Sequence, residues 1–244
     1  MKSRKKTMRL VGVLLFSVGT LLGIALAGIA VWADLEAVFY GFMKMGNKPI
    51  ASLQCPVIMT ASETGKISAT FKNPLDKPIQ LMLRTDISGP TLSMERTRLA
   101  LEPGEKKRAE WTVTRDNVDL GFFIFAQVSS YPVYPFPFRQ TTCGIFVMNL
   151  FGLSGNQITA GALVGSVLGL LIGLGLWQAG NRPLSGRRME TTYAMQFLAV
   201  IVLAAIFVAF RGWWLVGIML LTVALLMLVS IGYFLATAAT RTSS

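Results

Sequence analysis

Polarity along the chain is blocky. Long uncharged apolar runs occupy Leu10 to Ala33, Ile158 to Ala179, Tyr193 to Phe210 and Gly212 to Thr240, whereas the stretch between the first two alternates apolar and polar positions in short runs. A helix rising 1.5 Å per residue needs about 20 residues to cross a hydrocarbon core of about 30 Å. The blocks therefore predict four transmembrane helices, over 10–33, 156–179, 193–210 and 213–238, the third only just long enough. In the second, Gly161, Gly165, Gly169 and Gly173 recur every fourth residue, and the first carries Gly19 and Gly23 at the same spacing. Residues four apart share a helix face, so these glycines predict grooves in which helices approach closely. Packing of the first span on the second stays open beside homo-oligomer formation, or docking to another membrane protein, through the glycine face.

The alternating region predicts strands in "LQCPVIMT", "KISATFKN", "IQLMLRTDI", "LSMERTRLAL", "KRAEWTVT", "GFFIFAQVSS" and "QTTCGIFVMNL". Turn chemistry separates them: "SETG", "NPLDKP", "SGP", "EPGE" and "RDNVDLG". So many short strands between 51 and 150 predict an antiparallel β-sandwich between helices 1 and 2, in a chain of the α plus β membrane class. Over 34–50, Leu35, Val38, Phe39, Phe42 and Met43 recur at helical spacing, which reads as an interfacial continuation of the first helix with its apolar face on lipid or neighbouring spans.

Charge placement sets a direction. Lys2, Arg4, Lys5, Lys6 and Arg9 make 1–9 a basic tail, and Arg182, Arg187 and Arg188 fall in the loop 180–192. Lys and Arg in short flanks are retained on the cytoplasmic side. Both termini are thus expected inside the cell membrane, with the sandwich extracytoplasmic. Trp213 and Trp214, in the outer turn "RGWW", suit the interface belt. The net charge of +11 is then a matter of topology and anionic lipid, and predicts no nucleic-acid partner. A cleaved signal peptide is the rival reading of the first block, with "ALA" (Ala25 to Ala27) or "VWA" (Val31 to Ala33) as cleavage sites, although the apolar run exceeds a signal core.

The runs "FKNPLDKPIQLMLR" and "LALEPGEKKRAEWTVT" resemble bacterial immunoglobulin-like modules of the CARDB and NEW3 kind. "DLGFF", Asp119 to Phe123, resembles the "DxGxY" corner of such sandwiches, with Phe123 at the tyrosine position and no hydroxyl to bond back. The resemblance implies a fold and no activity, because these sandwiches host many functions.

Cys55 stands in the first predicted strand and Cys143 in the last, on the side where disulfides persist. Pairing them closes a loop of about 90 residues, nominally worth about 4 to 5 kcal/mol. Two buried thiols are the alternative. There is no histidine, which removes the commonest general base, metal ligand and nucleophile partner. Glu102 with Glu105, and Asp116 with Asp119, belong to polar turns. Phosphate loops, dinucleotide fingerprints and zinc spacings are lacking, so neither enzyme activity, cofactor nor metal is expected. The spans hold only neutral polar groups, namely Ser17, Thr20, Ser166, Gln196, Thr222 and Ser230, which argues against a carrier.

The segment "YPVYPFPF", Tyr131 to Phe138, is stiff and poor in donors, and it precedes the last predicted strand at the end of the sandwich farthest from the membrane. Tyr131, Tyr134, Phe136 and Phe138 are the candidate partner-binding residues, since aromatic groups on a pre-extended segment supply interface area. Plugging one end of the sandwich, or entering a membrane, are the competing roles. The expected protein is a non-enzymatic integral membrane protein that displays an immunoglobulin-like domain for protein binding or assembly of a membrane complex. The alternative is a small-solute transporter or its accessory subunit. Expected partners are the lipid bilayer and a membrane or extracytoplasmic protein.

Overall fold

In the computed structural model, residues 2–43, 48–90, 93–131, 134, 137–150 and 152–240 are described, without side chains at Lys2, Arg187 and 232–240. The elements run α1 (Lys2–Phe39), β1 (Ile58–Met59), β2 (Gly65–Lys72), β3 (Ile79–Ile87), β4 (Ser93–Leu101), β5 (Lys106–Val113), β6 (Phe123–Ser130), β7 (Arg139–Val147), α2 (Gly155–Gly180), α3 (Arg187–Phe210) and α4 (Trp214–Thr240). Two compact units result: 1–31 with 159–244, and 32–158.

Among the described residues, four helices are long and apolar enough to cross a membrane, over Ser3–Phe39, Gly155–Gly180, Arg188–Phe210 and Trp214–Ile231. The helices α1 and α2 meet backbone to backbone. A Cβ placed on Gly169 would lie 2.8 Å from the Cα of Gly19, and one on Gly19 would lie 2.7 Å from the Leu170 nitrogen. Gly12 meets Gly173 and Trp177 while Gly165 meets Leu22, so the two helices run in opposite directions. Gly23 faces Val202 and Ile206 of α3, and Gly217 of α4 faces Val31. Basic side chains finish α2: Arg9 Nε donates to the Gly180 carbonyl at 2.8 Å and Lys5 Nζ to that of Arg182 at 3.5 Å, where the free carbonyls of a helix end favour cations. The third helix begins at Arg187 rather than 193, so the expected loop 180–192 is shorter than its composition suggested. A polar first turn is no obstacle to a helix whose later turns are apolar.

The second unit is a five-stranded sheet in the order β1-β7-β6-β3-β4, faced by the two-stranded sheet β2-β5. Ile67, Ala69, Trp111 and Val113 from the small sheet pack with Leu81, Leu83, Ile124, Ala126, Val128 and Ile145 from the large one. The large sheet is mixed, which corrects the expected all-antiparallel sandwich: β1 runs parallel to β7, with Ile58 opposite Phe146. The expected strand "LQCPVIMT" is also cut. Gln54 bridges to Ser68 in the small sheet, Ile58 joins the large one, and between them Pro56 has no N–H for either ladder, so the segment changes sheets there.

Buried Asn73 locks the turns quoted for the resemblance. Its Nδ2 donates to the carbonyls of Lys77, Leu101 and Glu102, and its Oδ1 accepts from Leu75 N–H, which ties "NPLDKP" to "EPGE". The expectation that the apolar face of 34–50 lies on lipid or neighbouring spans needs correcting. Helix α1 continues unbroken to Phe39, and Ala33, Ala37, Tyr40 and Phe42 cover Phe123, Phe125 and Phe146 on the outer face of the large sheet. An apolar helix face needs an apolar neighbour, and here that neighbour is the sheet. Gly144 makes the fit possible, because any side chain there would occupy the position of the Ala33 carbonyl. Its N–H donates to Asp34 Oδ1 at 3.2 Å.

Candidate functional site

Strand directions give the sandwich two ends. At one, β6 begins, β7 finishes and α2 follows; at the other lie Ser130, Arg139, Lys72 and the segment that joins β6 to β7. The candidate site occupies this second end, the one distal to the start of α2 within the sandwich unit.

A cleft of about 300 Å3 opens there, with Ile50, Phe71, Ile79, Leu81 and Pro137 as its apolar lining. Ser52, Thr70 and Ser130 add hydroxyls, Lys72 and Arg139 stand at it as cations, and no Asp or Glu is among the described lining residues. Lys72 lies directly opposite Lys106 across the β2–β5 ladder, a like-charge pairing that an incoming anion would relieve. Tyr134, beside the cleft in sequence, is 88% exposed. Tyr131 and Phe138 behave differently: they are half-buried, and their rings meet edge to face at 5.6 Å. Tyr131 N–H donates to the Met82 carbonyl at 2.9 Å. Its side chain also bonds Arg84, whose Nε holds Asp86 Oδ1 at 2.9 Å. Asp86, then Tyr131, raise the Arg84 pKa, so this half-buried cation stays charged. The segment thus divides into a folded-back base and a projecting Tyr134. Phe136 lies outside the described residues.

Cys55 and Cys143 are joined in a disulfide across 88 residues of sequence. It links the segment leading to β1 with the middle of β7. Of the proposed helix-packing glycines, Gly19, Gly23, Gly165, Gly169 and Gly173 have close neighbours within the helical unit, whereas Gly161 meets nothing within 4 Å.

Periodicity missed several residues that matter here. Lys72 and Arg139 are far apart in sequence and look like ordinary strand-end charges. Tyr40 Oη donates to Asp119 Oδ2 at 2.5 Å, supplying from another segment the hydroxyl that Phe123 lacks. Glu63 accepts from the Gly155 N–H at 3.0 Å, so a carboxylate 92 residues away caps the start of α2. Only "DLGFF" carried a prior signal.

No protein-family model matches the chain, and neither does any curated protein. Among solved structures, the CARDB domain of a Pyrococcus furiosus protein is similar over 44% of this chain and 98% of its own, at 15% identity and a TM-score of 0.32. A β-glucuronidase from Bacteroides uniformis is similar over 38% of this chain at 16% identity and a TM-score of 0.30. A cycloisomaltooligosaccharide glucanotransferase from Paenibacillus sp. is similar over 44%, at 14% identity and a TM-score of 0.33. The chain spans only 12% and 15% of those two enzymes.

Proposed function

We propose that the chain is a non-enzymatic, multipass protein of the cell membrane, with both termini cytoplasmic, that presents its sandwich outside for binding a protein or assembling a membrane complex. One observation carries this reading: the exposed Tyr134 ring stands in the segment bordering an apolar cleft flanked by Lys72 and Arg139 without a carboxylate among the described lining residues. Aromatic anchors and arginine beside an apolar hollow are the composition that interface centres favour. The fitting partner offers an apolar side chain next to Asp, Glu or a terminal carboxylate.

Purification in mild detergent tests this. A stoichiometric companion is expected with the wild-type chain and lost from the Tyr134→Ser, Arg139→Glu variant, with unfolding temperature unchanged. Isolation of the chain alone, together with solute flux when it is placed in liposomes, would favour the transporter reading instead.

A further inference from the structure

The geometry points to a second contact surface at the opposite end of the sandwich: the turn Leu120–Gly121–Phe122 enters the headgroup boundary of the bilayer beside Trp32, seating the domain on a lipid surface. This rests on α1 being a membrane span.

The turn is short and rigid. Asp119 N–H donates to the Phe123 carbonyl at 2.7 Å and Phe123 N–H to that of Asp119 at 3.0 Å, so only the three residues between them project. Both oxygens of Asp119 are engaged, Oδ1 by Leu120 N–H at 2.7 Å and Oδ2 by Tyr40. The tip is therefore held in place before it meets anything.

What it presents is apolar. Leu120 has φ +48° and Gly121 φ +83°. Left-handed turn positions usually take Gly, Asn or Asp, which are at ease there and in water. A leucine instead accepts backbone strain and leaves its side chain 58% exposed, with Phe122 beside it 40% exposed. Phe122 gains ring contacts with Phe123 at 4.8 Å and Phe146 at 5.7 Å, whereas the exposed Leu120 gains nothing comparable within the domain.

Continuity with α1 identifies what covers them. The Phe122 ring lies 5.7 Å from that of Trp32, itself 43% exposed. Trp32 comes at the end of the uncharged run from Leu10, two residues before Asp34, where an indole sits between hydrocarbon and water. Phe122 touches that indole and so shares its depth. The same end of the sandwich adds exposed Leu153 and, in a hollow it shares with Asn149 and Ser62, Arg115. A cation beside polar groups at the edge of an apolar tip suits lipid phosphates above an acyl layer.

Bimane fluorescence in phosphatidylcholine vesicles tests this with the full-length chain, whose native cysteines are tied up in the disulfide. Single thiols are introduced by Leu120→Cys, by Phe122→Cys as a second turn position, by Tyr134→Cys at the distal end and by Leu14→Cys in the first apolar run. Both turn labels are expected to lose most of their emission to headgroup-nitroxide lipid and little to aqueous iodide, with the reverse at Tyr134→Cys. Turn labels open to iodide while Leu14→Cys is quenched by acyl-chain nitroxide would overturn the lipid contact and leave the span intact. Turn labels shielded from both quenchers would also overturn it, in favour of a protein covering such as a second copy. Failure of nitroxide to reach Leu14→Cys would instead remove the membrane reading itself.

Discussion

Asp119 gathers the turn and the segment after α1 with its carboxylate and the start of β6 with its backbone. Its partner Tyr40 has a phenol pKa pushed up to about 12, first by burial and then by the hydrogen bond and negative charge of Asp119. The folded state thus prefers the neutral phenol. That contribution is whole below the ordinary tyrosine value near 10, and it falls away as pH rises through about 12. Tyr40→Phe should cost about 1 kcal/mol at neutral pH. The gap in unfolding temperature between wild type and variant should close between pH 10 and 12, while tyrosinate absorbance loses its latest-titrating phenol. No gap at neutral pH would mean that ring packing on Phe125, at 4.7 Å and kept in the variant, does the holding. None of this could be read from the sequence, because a bond between residues 79 apart leaves no periodic trace. Lys72 and Arg139 are invisible for the same reason: only the closing of the sandwich makes them neighbours.

At the level of elements, periodicity was informative wherever one face of an element meets one environment. Strands β2 to β7 fall where alternation placed them, since each has a core side and another side. The failures occur where a segment changes environment along its length. Pro56 lets one run serve two sheets, and Ala33 to Phe42 has an apolar face whose composition asks for an apolar neighbour without saying whether that is lipid or protein. The glycine spacing of α2 has the same ambiguity, which contact geometry resolves position by position. A side chain on Gly169 would strike the backbone of α1 at Gly19 and at the Leu15 carbonyl, 2.9 Å away, whereas one on Gly161 meets nothing within 4 Å. Backbone cannot swing aside as a flexible side chain does. Gly169→Val should therefore destabilise the helical unit by about 1 to 3 kcal/mol, and Gly161→Val by little, in thermal unfolding in detergent. Equal loss from both would show that the open face of α2 is also occupied, as a homo-oligomer requires.

For the molecule as a whole, the proposed orientation has two independent supports, both in charge and redox chemistry rather than in shape. Lys and Arg gather in the tail 2–9 and around 182–188, while the sandwich mixes both signs. The disulfide between Cys55 and Cys143 belongs to an oxidising compartment, so the domain that contains it should face away from the reducing cytoplasm. These arguments agree with each other but concern different segments, and so a topology experiment must probe both. Ser93 begins edge strand β4 and is exposed; Ser185 is exposed in the turn between α2 and α3. With the native cysteines paired, Ser93→Cys and Ser185→Cys each add one free thiol. In sealed cells a membrane-impermeant maleimide should label Ser93→Cys at once and Ser185→Cys only after permeabilisation. The opposite pattern would invert the chain, leaving the disulfide in a reducing compartment and the distal cleft facing cytoplasmic proteins. Labelling of both in sealed cells would mean an odd number of crossings between the two positions is wrong, and that α2, the one α-helix between them among the described residues, does not span.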